Sequence, residues 1–205
     1  PSNLGNPPVI SYHKKTTNAG TQTWQIAEDT YGYTWFASNA GLIKFDGYNW
    51  ELFRLPNDTK ARSVAVDNST HTIYTGGQGN FGYFAPDQNG FFKYTPLHES
   101  LGKKFSYFGD VWNIVVSEQG IFFRTDFQVF RYFEDKVTPL LSGDISLNHL
   151  GKWGNEIVLQ DAANQLFTFN GGKFIPKNKP NYFNKGRISS VIHYLNDTIL
   201  ITTIN

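Results

Sequence analysis

The 205-residue sequence contains no cysteine and no methionine. Without cysteine there is no disulfide, no thiol nucleophile and no thiolate-held metal, and the redox compartment is left open. Charge is also thin, at 17% of residues with a formal net charge of +1, against about 25% in ordinary soluble chains. No run of like charge exceeds two residues, so the electrostatic footprint needed for nucleic acid or an acidic membrane surface is missing and no direct nucleic-acid contact is expected. No apolar run approaches the ~18 residues of a membrane-crossing helix, and helical periodicity of any length is lacking. The first residue is Pro1 rather than methionine, which reads as a mature form or a piece of something longer, with targeting information gone in either case.

What the sequence does have is aromatic residues, 17% of the chain, and 19 glycines, the mixture expected of short strands joined by tight turns. A repeat organises them. Trp24 and Ile26 form an apolar pair two apart, as one face of a strand requires. Equivalent starts are Arg62 and Val64, Trp112 and Ile114, Asn148 and Leu150, and Ser190 and Ile192. Their second members are separated by 38, 50, 36 and 42 residues, close to the period of a four-stranded propeller blade.

Within each unit three apolar segments alternate with polar turns and a fourth, aromatic segment follows. In the first unit these are WQIA, YTWFAS, LIKF and WELF, with Asp46-Gly47 as a hairpin signal before the last. Asn170-Gly171-Gly172 and Glu134-Asp135 hold the equivalent place in the fourth and third units. The fold expected is all-β: a single partial propeller over 1–205 with an incomplete ring of about four blades plus the start of a fifth. The blades fall at 20–57, 60–98, 108–141, 146–178 and 187–205. Residues 1–19 are an N-terminal segment that could complete a closing blade. An incomplete ring leaves open sheet edges, which further blades or pairing of two copies would cover.

Residues 77–82, GQGNFG, match the GxGxxG dinucleotide pattern letter for letter. That pattern works only between a strand and a helix, and here Pro86, Asp87, Asn89 and Gly90 follow, which no helix can start from. The stretch reads as the turn between the second and third strands of unit two. The histidines at 13, 71, 98, 149 and 193 have no metal-binding spacing, so neither a metal nor a cofactor is expected. No nucleophile elbow is present. Glu28, Asp29, Asp67 and Asp161 could supply the paired carboxylates of a glycosidase, but acids after a blade's first or second strand more simply bond turn amides. No catalytic constellation is recognised.

Loops entering the innermost strands and turns between second and third strands share one face of a propeller. That face would present Gln22, Trp24, Asn39, Lys60, Arg62, Gln78, Asn80, Trp112, Asp126, His149, Asn164 and Arg187. Of these, Gln22, Trp24, Asn39, Arg62, Gln78, Asn80, Trp112, Asp126 and Arg187 are the candidate ligand-binding residues, combining amides and guanidinium groups with flat aromatic faces. Arg62 stands where units one and three have tryptophan, and a charge there needs water, a ligand or a salt bridge between blades. Trp35 and Trp50 read as core, Trp24 and Trp112 as core or site.

The stretch WQIAEDTYGYTWFASNAGLIKFDG resembles the two-component regulator propeller repeat at Trp24, Ile26, Asp29, Gly32, Trp35, Ser38, Gly41, Leu42, Phe45, Asp46 and Gly47. Units two to five keep the period but lose most letters, with Ile73, Phe122, Ile157 and Ile199 in place of Trp35. ARSVAVD and GGQGNFGYF are similar to the second repeat of a subgroup of membrane-anchored regulators with a helix-turn-helix output. The resemblance implies an extracytoplasmic, periplasmic sensor region of a bacterial two-component or one-piece regulator, with an oligosaccharide as ligand. It also implies further blades, an immunoglobulin-like module and a membrane span elsewhere in the polypeptide. A protein-interaction or dimerisation platform and a glycan-active propeller enzyme are the alternatives.

Overall fold

The structure, a computed structural model, describes residues 9–105, 107–177, 186–194 and 198–204. Pro7 and Pro8 of the N-terminal segment, and Asn196 and Asp197 in the loop of the last unit, lie outside the described residues.

Among the described residues, alternating side chains and turn residues produce eighteen short strands in antiparallel sheets. Blade one comprises β1 (Thr23–Glu28), β2 (Thr34–Ser38), β3 (Gly41–Phe45) and β4 (Trp50–Phe53), paired in that order. Blade two comprises β5 (Ala61–Asp67), β6 (Thr72–Gly77), β7 (Phe81–Pro86) and β8 (Phe92–Pro96). Blade three has β9 (Asn113–Ser117), β10 (Gly120–Arg124), β11 (Gln128–Phe133) and β12 (Lys136–Ser142). Blade four has β13 (Leu147–Trp153), β14 (Glu156–Asp161), β15 (Leu166–Asn170) and β16 (Lys173–Lys177), and β17 (Arg187–His193) pairs with β18 (Ile199–Ile204) in a two-stranded sheet. The first strands β1, β5, β9, β13 and β17 lie side by side around the centre, and the ring they trace is open.

The core is a set of layers between blades rather than one mass. Trp35 and Leu42 of blade one meet Val64, Ile73 and Phe84 of blade two. Tyr74 and Phe81 meet Ile114, Phe123 and Phe130, with Phe81 stacked on Phe123 at a centroid distance of 4.5 Å. Phe122 and Val115 meet Leu150, Ile157 and Phe169. Ile121 and Phe123 face backward and Phe122 forward, so all of β10 is buried. A second strand sandwiched this way buries both faces, which is why it reads as an unbroken apolar run.

The ladders correct the repeat register by one residue in three units. Ile26, Val64, Ile114, Leu150 and Val191 are equivalent, so the last unit starts at Ser189 and Val191, not at Ser190 and Ile192. Likewise Trp35 corresponds to Tyr74, Phe122, Val158 and Leu200, not to Ile73, Ile157 and Ile199. A slip of one moves a side chain to the opposite face. The backward-facing Val64, Ile114 and Leu150 are buried against the preceding blade, whereas Ile26, with no blade behind it among the described residues, is 60% exposed.

Trp50, expected in the core, is half-buried on that same backward face of blade one, stacked on Phe45 at 4.2 Å and edge-on to Tyr12 at 5.2 Å. Tyr12 precedes a single helical turn, α1 (Lys14–Thr17), and the described part of the N-terminal segment forms no strand.

Acids that follow strands cap turns, as their positions in the repeat imply. Asp29 accepts from the Tyr31 and Tyr33 amides at 2.9 and 3.0 Å and from Trp35 Nε1 at 2.8 Å. Asp87 and Asp161 accept turn amides in the same manner. His71 meets the Tyr31 hydroxyl and His98 the Phe81 carbonyl oxygen.

Candidate functional site

Four of the five first strands carry a β-bulge near their start. Trp24, Arg62, Asn148 and Ser189 are skipped by the ladder to the second strand. In blade three Trp112 stands just ahead of β9, its amide donating to the Arg124 carbonyl at 2.8 Å. A bulge breaks the inside-outside alternation and re-aims its residue. These four residues and Trp112 all line the clefts of the central channel.

The channel holds a cleft of about 670 Å³ whose lining includes Trp24, Arg62, Trp112, Asn113, His149 and Ser189, a volume within the ~300–1,000 Å³ usual for ligand sites. Arg62 is its centre. The guanidinium carbon sits 4.2 Å from the Trp24 ring centroid and 5.4 Å from that of Trp112, and the two indoles meet edge to face at 5.9 Å. Arg62 Nε donates to Asp110 Oδ2 at 2.8 Å, with side-chain exposures of 10% and 16%, tying blade two to the loop that enters blade three. Three polar atoms of this wall are buried without a hydrogen-bond partner: Arg62 Nη1, Trp112 Nε1 and His149 Nε2. Arg62 Nη2 also lacks a protein partner but is not sealed from solvent.

A second cleft of about 390 Å³ shares Trp112, Asn113, His149 and Ser189 with the first and adds Arg124, Asp126, Asn148 and Arg187. Arg124 closes β10 at 3% exposure, its Nε donating to Asn113 Oδ1 at 2.6 Å and its Nη1 to the carbonyls of Leu147 and Thr125. Burial lowers its pKa to about 10, against the field of Asp126. Asn113 Oδ1 also accepts the Leu150 amide at 3.2 Å, so one side chain joins blades three and four and positions the arginine. His149 lies over Gly151, where any Cβ would sit 2.5 Å from its Nε2. Burial, then Arg124 and Arg187, lower the His149 pKa to about 4, which keeps the ring neutral at pH 7.

Trp24, Arg62 and Trp112 therefore converge in the first cleft, and Trp112, Asp126 and Arg187 line the second. Gln22, Asn39, Gln78 and Asn80 line neither. Asn39 acts as a support, accepting from Trp24 Nε1 at 2.8 Å and donating to Thr21 and Gln22. Asn80 is buried and fastens Thr59. Gln78 bridges to Asp110 at the backbone. Sequence reasoning missed Asp110, Asn113 and Arg124, although a charge ending the apolar run IFFR was a visible signal.

The glycine-rich turn does not offer a phosphate cradle, because the amides of its first three residues are already used. Gly77 donates to Asn80 at 2.8 Å, Gln78 to Lys60 at 3.2 Å and Gly79 to Gly109 at 2.8 Å. No carboxylate lines the first cleft and Asp126 alone lines the second, so the clefts assemble no carboxylate pair. Among the described residues there is no cluster suited to a metal ion and no helix long and apolar enough to cross a membrane.

No family model and no curated protein matches the sequence. Solved structures do. Two structures of the extracellular domain of one B. thetaiotaomicron protein, named a one-component system in one and a hybrid two-component system in the other, are similar at TM-scores of 0.63 and 0.59. Identities are 16% and 18%, over 88% of this chain and 25% of that one in both cases. The WD40 propeller domain of Doa1 is similar at a TM-score of 0.63 and 12% identity, over 90% of this chain and 63% of that one. The chain thus spans about a quarter of the bacterial domain it matches. In fold it is an open β-propeller of four-stranded antiparallel blades, of the kind that builds the extracellular domain of that bacterial signalling protein.

Proposed function

We propose that this chain is the ligand-sensing propeller of an extracytoplasmic bacterial receptor and that an oligosaccharide binds in the channel. The observation that carries the binding is Arg62, held by two indoles and one carboxylate with donors to spare. A pyranose has an apolar face that stacks on an indole and hydroxyls that accept from a guanidinium. Trp24, 40% exposed, offers such a face, and Asn113, Ser189 and Ser190 add polar groups around it. The sensing role and the extracytoplasmic location draw support from the fold shared with a bacterial signalling protein's extracellular domain.

Thermal unfolding of the chain with and without a panel of plant and host oligosaccharides tests this. A ligand at 100 times its Kd adds about 2.7 kcal/mol to stability, and a midpoint shift lost in Arg62→Gln is the expected result. No shift with any sugar would overturn the reading. An interaction platform is the second reading, favoured by Ile26, Ile192 and Leu200, which are 60%, 53% and 51% exposed on the outward faces of the first and last sheets. Its test is the mass in solution.

A further inference from the structure

Positive charge in the channel is distributed unevenly. Arg62 has its carboxylate, but Arg124 and Arg187 have none: no ion pair joins either to an acid among the described residues. Both line the second cleft, together with His149, Asn148 and Asp126. Arg124 is held rigidly by one amide oxygen and two carbonyls, all neutral, and its Nη2 is left with no protein partner. A buried guanidinium satisfied only by neutral dipoles gains from an arriving anion. Arg187, exposed and with no side-chain hydrogen bond among the described residues, is placed on β17 to close on the same group. Asp126 is the counter-consideration, since its field partly offsets that of Arg124; it forms no ion pair with it. The buried neutral His149 adds no third charge.

We infer that the second cleft is an anion subsite in which Arg124 and Arg187 grip a carboxylate or sulfate carried by the ligand, whose adjoining ring lies against Trp112 in the first cleft. The inference rests on the sugar reading above and narrows it to acidic oligosaccharides. The shared walls of the two clefts, Trp112, Asn113, His149 and Ser189, let one molecule span both.

Two measurements test it. Calorimetric titration compares an oligogalacturonate with its methyl ester, and a sulfated oligosaccharide with its desulfated form. In at least one pair the acidic member should bind about tenfold tighter or more, with the preference lost in Arg187→Gln, an exposed position where folding is safe. The pair that responds tells carboxylate from sulfate. Equal binding within both pairs would overturn the subsite while leaving the sugar reading intact. Independently of any sugar, thermal unfolding in sodium sulfate and in sodium chloride at matched ionic strength should show a sulfate-specific midpoint gain that shrinks in Arg187→Gln. The same gain in both proteins, or no binding of any of the four sugars, would also overturn it, the last result taking the sugar reading down with it.

Discussion

Arg62 Nε and Asp110 Oδ2 are 2.8 Å apart, and this contact joins a bulge in one blade to the loop that enters the next. It neutralises a largely buried guanidinium without using its terminal nitrogens. Breaking such a pair leaves an uncompensated charge, so Asp110→Asn should destabilise the chain by about 3 kcal/mol. Arg62→Gln combined with Asp110→Asn should recover part of that loss, and a double-mutant cycle by chemical denaturation reads the coupling.

The indoles around Arg62 should separate binding from stability. Trp24→Ala removes a half-exposed ring and should cost about 1 kcal/mol of stability while abolishing the ligand-induced midpoint shift. A shift of wild-type size in Trp24→Ala would exclude this indole from the site.

Trp35 and Trp50 are both repeat tryptophans with different surroundings. Trp35 is fully buried between two blades, and Trp35→Ala should cost about 3–5 kcal/mol. Trp50→Ala, on the half-covered backward face, should cost clearly less, and comparing denaturation midpoints checks the order.

His149 gives the fold a pH dependence of predictable sign. Its pKa falls from 6.5 to about 4 on folding, so between those values the unfolded chain binds more protons than the folded one. Stability is full above pH 6.5 and is lost as pH falls toward 4, by up to about 3 kcal/mol. His149→Gln should flatten the unfolding midpoint across that window; an unchanged slope would assign it to other groups.

Within GQGNFG, Gly77 and Gly82 serve close packing and Gly79 the turn. A Cβ on Gly77 would stand 2.4 Å from the Lys60 carbonyl oxygen, whereas one on Gly79, at φ +71°, meets nothing. Gly79→Ala should cost about 1–2 kcal/mol for the left-handed backbone and Gly77→Ala more, because main chain must move. Loss of ligand response in Gly79→Ala at retained stability would give this turn a binding role that its occupied amides do not indicate.

Much of the fold is legible in the residues. Period-two alternation marks the strands. Glu134 and Asp135 have positive φ at 48° and 57°, and Gly47 at 94°, where turn chemistry calls for it. Asp29 caps its turn as an acid in that place should. The candidate face was legible in part: Trp24, Arg62 and Trp112 stand out as non-aliphatic residues at a repeat start, and the structure brings all three together.

What the sequence by itself determined is therefore local: all-β character, strand count per blade, hairpins, and the position in each repeat that holds a special residue. Only the tertiary structure decided which face each side chain occupies, because the turn between first and second strands differs in length from blade to blade and sets the pairing register. That is how Tyr74 and Val158, rather than their neighbours Ile73 and Ile157, came to be the counterparts of Trp35. It also decided that Arg124, last residue of an apolar strand, turns into the channel beside Asn113. Their hydrogen bond depends on the ladder between β9 and β10, and the Asn113 link to Leu150 depends on how blades three and four pack. Such convergence of residues far apart in the chain is set by the packing of sheet on sheet, which no single stretch of sequence encodes.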